Sequence, residues 1–155
     1  MKQSCHGVYV ILNLRITNIV MKTESTTSSP LQRLSPCVMY AGKLKNGPKR
    51  AISHVTAAKK PWNLKNSKTV RKIRYLLRYG IDVGVIVVNL CNQDVAFAVE
   101  SQLLHGFTHL VNSNKGHLHK KFPDSKIKFL TSLCLSYILS KITCNAYDYV
   151  QKSNK

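Results

Sequence analysis

The segment Gly7 to Leu14 is nearly continuous in apolar character through Val8, Tyr9, Val10, Ile11 and Leu12, which suits a strand covered on both faces. A second short strand is expected at Cys37 to Ala41, ending at Gly42. Between them, Arg15 to Pro36 turns to Thr, Ser and Asn with Pro30 and Pro36, and reads as a long loop excursion. After the turn Asn46-Gly47-Pro48, the stretch RAISHVTAAKK predicts a helix with Arg50 and His54 four residues apart on one face. Helical spacing returns at Val70, Ile73, Leu76 and Leu77, with Asn66 or Ser67 as cap and Gly80 as stop; Lys68, Arg71, Lys72, Arg74 and Arg78 fill the other positions. IDVGVIVVNL then predicts a strand, Asn92 a cap, and Asp94 to His105 a helix closed by Gly106.

This order predicts an α/β fold: a small single domain with a central, roughly three-stranded sheet flanked by helices. Residues 1–120 would form that domain, with 15–36 as a loop insertion, and residues 121–155 a basic, partly amphipathic C-terminal extension. There Phe129, Leu130, Leu133, Leu135, Ile138, Leu139 and Ile142 can line a helix, with Lys126, Lys128 and Lys141 around it. A helix that docks to complete the core is the ordinary reading, and contact with a membrane or partner is the other.

Charge adds what the pattern cannot. The 155 residues hold 24 Lys and Arg against 6 Asp and Glu, a net charge of +18. With 44% hydrophobic residues the chain is no disordered basic tail, and self-repulsion on this scale implies a polyanionic partner, nucleic acid first. Cys5, Cys37, Cys91, Cys134 and Cys144 are odd in number, widely spaced and without a CxxC pair, as expected of reduced thiols in an intracellular protein, nuclear or cytoplasmic. Asn13 and Arg15 interrupt the first apolar run and no small-residue cleavage site follows, so no signal peptide is expected. Phe129 to Ile142 is too short and mixed for a bilayer span of ~20 residues, so a membrane partner is disfavoured.

The acids are Glu24, Asp82, Asp94, Glu100, Asp124 and Asp148, and any bound divalent cation must draw largely on these. Glu100 stands out in AFAVESQLL, where apolar neighbours predict a partly buried carboxylate that needs a partner: an ion pair with Lys or Arg, or a cation. Tyr9 and Tyr40 read first as core residues, and Arg50 as one charge among many. His54, His105, His109, His117 and His119 with Cys91 suggest zinc only weakly, because Gly106 interrupts the His105/His109 spacing and no second Cys is near.

Taken in order, several short motifs resemble the GIY-YIG nuclease superfamily, most closely the animal endonucleases with ankyrin repeats and a LEM domain and their short bacterial relatives. They are Gly7-Val8-Tyr9, Tyr40-Ala41-Gly42, Arg50-Ala51-Ile52-Ser53-His54, KIRYLLRYGIDVGVIVV, Glu100 in AFAVESQLL, and Leu110-Val111-Asn112 followed by Gly116-His117. The resemblance covers about residues 7 to 119. Ala41 replaces the branched residue of the second motif, Leu44 stands where glycine is common, Lys43 to Lys45 reads as a longer loop, and neither a LEM domain nor ankyrin repeats are present.

The resemblance implies a metal-dependent DNA endonuclease acting in DNA processing or repair, structure-selective or weakly sequence-specific; the similar animal enzymes act on branched or bridged DNA. It assigns catalytic roles to Tyr9, Tyr40, Arg50, His54, Glu100 and Asn112. Glu100 would hold one Mg²⁺ or Mn²⁺, Tyr9 would be the general base beside Tyr40, and no small-molecule cofactor is implied. A tyrosine, with pKa ~10, needs nearby positive charge to serve as a base, and the chain has that in excess. Lys43, Lys45, Lys49, Lys68, Arg71, Lys72, Arg78 and Lys115 would bind the nucleic-acid backbone, which positions a substrate without reading its bases. The alternatives are a non-catalytic basic nucleic-acid-binding module, in which Glu100 pairs with Arg, and a membrane-surface protein using the Phe129 to Ile142 helix.

Overall fold

The computed structural model describes residues 5–23, 28–45, 47–60, 67–90, 92–107, 110–111 and 124–154. Their elements run β1 His6–Asn13, α1 Leu14–Thr23, α2 Pro30–Leu34, β2 Val38–Lys45, α3 Lys49–Lys59, α4 Lys68–Arg78, β3 Val83–Leu90, α5 Gln93–Gly106, α6 Asp124–Thr143 and β4 Tyr149–Gln151. They form a small α/β domain whose sheet is antiparallel throughout, in the order β2-β1-β3-β4.

The sheet has four strands where the sequence predicts three. The fourth, β4, comes from the C-terminal segment and pairs with β3 from Val83↔Gln151 to Val85↔Tyr149. At three residues it is too short for alternation to announce.

β1 is covered on both faces, as its continuous apolar run implies. Val8, Val10 and Leu12 pack with residues of α1, α2, α5 and α6, whereas Tyr9 and Ile11 face the opposite way, into the cluster built by α3 and α4. The helices thus form a layer on each side of the sheet. Residues 124–154 belong to the same core, for α6 buries Ile127, Cys134, Leu135, Ile138, Leu139 and Ile142. Among the described residues no helix is long and apolar enough to cross a membrane.

The 15–36 segment is a correction as well. Instead of a loop excursion it forms two helices among its described residues. Asn13 caps α1, its Oδ1 accepting from the Ile16 N–H at 3.1 Å, and Leu14, Thr17 and Val20 turn one stripe inward. α2 opens with a capping box: Ser29 Oγ accepts from Gln32 N–H, Gln32 Oε1 accepts from Ser29 N–H, and Pro30 takes the first turn. The Ser, Thr and Pro content that reads as loop is therefore helix-capping chemistry.

β2 also outruns expectation, continuing through Gly42 to Lys45 instead of stopping at Gly42. Gly42 lies opposite Tyr9 in the register, and a Cβ there would sit 2.7 Å from the Tyr9 ring, so the ring lies flat across the glycine. Gly7 is equally constrained, because a Cβ would run into the Val88 carbonyl of the neighbouring strand. The glycine in each of the two strand motifs marks a close approach within the sheet.

Candidate functional site

A β-bulge shapes the site from the sheet outward. Ile11 pairs with Tyr40 and Leu12 with Val38, leaving Met39 as the extra residue. Regular alternation from Gly42, the partner of Tyr9, already sets Tyr40 on the same face as Tyr9, with ring centroids 5.8 Å apart and planes inclined by 29°, and the bulge adds Met39 to that side. The Met39 carbonyl accepts the Val111 N–H at 2.8 Å, which holds Leu110 and Val111 beside the start of β2. Asn112, the next residue and a predicted site member, lies outside the described residues, as does Lys115.

α3 delivers Arg50 and His54 one turn apart. The His54 ring tilts over Tyr40 at 5.3 Å between centroids. The first turn of α3 has neither an acid nor a side-chain cap, and carries Lys49 and Arg50 at the positive end of the helix dipole. A cleft of about 390 Å³ opens between α3 and α4, lined by Arg50, Ser53, His54, Ala57, Ser67 and Val70. Another hollow, of about 450 Å³ between α2, α5 and α6, takes in none of the predicted site residues.

Glu100 enters from α5 and is half-buried. Burial holds its carboxyl above the usual carboxylate range, and the charges of Lys43 and Arg50 oppose that without overcoming it. Both cations are within electrostatic reach, yet among the described residues Glu100 makes no salt bridge and no hydrogen bond. Lys43 instead places its Nζ 3.2 Å from the centre of the Phe97 ring on α5.

Tyr9 is fully buried, and its hydroxyl completes no hydrogen bond of standard geometry among the described residues. Burial pushes its pKa far above the ordinary tyrosine value; Tyr40 and Glu100 push the same way, and Arg50 alone pulls it down. The expected help from surrounding positive charge exists in Arg50 but is outweighed. In this arrangement Tyr9 is a neutral phenol.

Tyr9, Tyr40, Arg50, His54 and Glu100 are therefore brought together by ring contacts and mutual electrostatics. The backbone-binding residues fall into two groups. Lys49 is exposed at the start of α3, and Lys68, Arg71, Lys72 and Arg78 line the exposed face of α4. Lys43 faces α5, and the Lys45 side chain lies outside the described residues. Sequence reasoning passed over the Phe97 contact to Lys43 and the exposed Tyr75 and Tyr79 on α4; for the tyrosines the signal was available, as an i, i+4 pair amid basic residues.

No group of three or more His, Cys, Asp or Glu side chains able to hold a metal occurs among the described residues. A site built on one carboxylate still suits Mg²⁺ or Mn²⁺, which take one or two carboxylates and complete their shell with water and phosphate oxygens. The half-buried Glu100, which closes no ion pair among the described residues, fits that requirement. The chain matches no protein-family model, no curated protein and no solved structure.

Proposed function

We propose that the chain is a metal-dependent DNA endonuclease of GIY-YIG type, with Tyr9, Tyr40, Arg50, His54 and Glu100 forming its site. The observation that carries the reading is Glu100. A half-buried carboxylate in a chain with +18 net charge would ordinarily close an ion pair, and among the described residues Glu100 closes none with either of the cations, Lys43 and Arg50, whose charges reach it. Of the other acids whose side chains are described, Asp82 and Asp148 fasten the C-terminal segment and Asp94 sits in the first turn of α5.

A divalent cation on Glu100 would supply positive charge for the phosphoryl and leaving oxygens. Arg50 keeps its charge at all relevant pH and can grip a phosphate with two parallel N–H donors. The neutral Tyr9 phenol is buried beside Tyr40, which His54 supports, and its O–H orders water or a phosphate oxygen only where bound substrate opens the site to it. Tyr9 acts as a base only if its pKa falls when substrate and cation arrive, and Arg50 already biases it in that direction.

Supercoiled plasmid and a branched duplex, incubated with Mg²⁺, Mn²⁺ or chelator, test the proposal. Wild type should nick with metal alone, Glu100→Ala should lose nicking, and Tyr9→Phe should lose most of it. Nicking by Glu100→Ala at the wild-type rate would sink the assignment. The second reading, a basic binding module without catalysis, draws on the protonated Tyr9 and on the basic face of α4; binding without nicking in any metal would favour it.

A further inference from the structure

The exposed face of α4 carries more than phosphate contacts. Lys68, Arg71, Lys72, Tyr75, Arg78 and Tyr79 are all exposed, and spacings of three and four keep them in one stripe. Tyr75 and Tyr79 are 52% and 58% exposed, whereas a tyrosine normally buries most of its ring. Their rings lie 4.5 Å apart at 41°, and Lys72 Nζ approaches Tyr75 at 5.4 Å from the ring centre. Beside them is a concavity of about 500 Å³ lined by Arg71, Arg74, Tyr75, Arg78 and Tyr79, all of them cationic or aromatic.

The platform is held in place from below. The Tyr79 N–H donates to the Tyr75 and Leu76 carbonyls, its carbonyl accepts from Arg15 Nη2 at 3.4 Å, and Gly80 at φ 76° ends the helix immediately after it. Arg74 is pinned to the end of α3 through the Ala58 and Lys60 carbonyls. Arg71 and Arg78 are committed to no side-chain hydrogen bond or ion pair among the described residues. The stripe begins at the cleft beside Arg50 and His54, which Ser67 helps to line, and reaches Tyr75 after ~12 Å of helix.

Closed duplex DNA offers phosphates but no base faces, so two exposed aromatic rings add nothing to duplex binding. An unpaired strand offers both, and stacking of a base on an aromatic ring strengthens binding without regard to base identity. We infer that the Tyr75 and Tyr79 rings are a stacking platform for unpaired bases, with Arg71, Lys72 and Arg78 holding the adjoining phosphates, so that the chain prefers single-stranded DNA to closed duplex. The inference rests on the reading of the chain as a DNA-binding protein but not on hydrolysis.

The test is fluorescence anisotropy of the full chain with a 20-nucleotide oligo-dT and with a 20-base-pair duplex, in chelator so that cleavage does not enter. Wild type should bind the oligo-dT more tightly. The double variant Tyr75→Ala/Tyr79→Ala should lose about tenfold or more on oligo-dT and less than threefold on duplex. Tyr75→Phe/Tyr79→Phe should restore the preference, because stacking needs the ring and not the hydroxyl. Equal losses on both DNAs, or a Phe variant as weak as the Ala variant, would overturn the platform. So would vesicles of phosphatidylserine and phosphatidylcholine that lose the double Ala variant while oligo-dT still binds it. Plasmid nicking separates this from the catalytic proposal: a chain that never nicks but discriminates through Tyr75 and Tyr79 retains the platform, and one that nicks without discrimination does not.

Discussion

At the scale of single residues, the site holds one carboxyl group, Glu100, whose burial costs the fold something once it ionises. Burial raises the Glu100 pKa above its ordinary value of 4.5, so the folded state binds more protons than the unfolded chain in the window between the two pKa values. Stability from this group is complete below 4.5 and is lost as pH rises through the folded pKa. Glu100→Gln should therefore flatten that decline and leave the protein at least as stable as wild type near neutral pH, while abolishing metal-dependent nicking. Denaturation midpoints across pH 4 to 7 alongside plasmid assays would show it; a Gln variant that is less stable at neutral pH contradicts the unpaired carboxylate. Gly42 makes a second residue-scale prediction. Ala there drives a Cβ into the buried Tyr9 ring, and should cost ~1–3 kcal/mol in urea denaturation while disturbing the tyrosine pair.

Among the elements, α6 and β4 carry most of what the sequence left open. Ile138 is fully buried in the cluster shared with β1 and α5, whereas Leu133 on the same helix is 51% exposed. Ile138→Ala should cost ~2–5 kcal/mol and Leu133→Ala under ~0.5, a contrast that chemical denaturation resolves and that a detachable extension would not give. Two carboxylates tie this segment to the sheet. Asp148 accepts the Val87 N–H at 2.7 Å and pairs with Lys141, and Asp82 accepts the Ser153 N–H at 2.7 Å. That backbone bond, with Lys152 adding to it, holds the Asp82 pKa below 3.8, so its contribution is present above 3.8 and disappears as pH falls through the lowered value. Asp82→Asn should speed amide exchange in β4 and blunt the loss of stability on acidification; unchanged exchange would mean that β4 is held by its strand pairing alone.

For the molecule as a whole, charge governs binding. If Arg50, Lys68, Arg71, Lys72 and Arg78 each meet a phosphate, the logarithm of duplex affinity should fall with the logarithm of salt at a slope of about −4.5, steeply enough to separate phosphate binding from stacking. A slope near zero would remove the stripe from the interface. Much of this architecture is legible along the chain. The two-sided β1, the capped amphipathic α4, the cap at Asn92 and the conspicuous Glu100 all follow from patterns local enough to survive without tertiary information. Helices α1 and α2 were not legible, because Ser, Thr, Asn and Pro serve caps and loops alike and only the buried stripe of Leu14, Thr17 and Val20 tells them apart. Nor was β4, whose three residues make a strand only because β3 offers an edge. Sequence by itself determined which residue types and charges are available, since propensity, capping and net charge are local sums. Only the tertiary structure decided which of them meet: the β1–β2 register that sets Tyr40 beside Tyr9, and the packing that leaves Glu100 half-buried without an ion pair among the described residues, are long-range outcomes of strand pairing and layer packing.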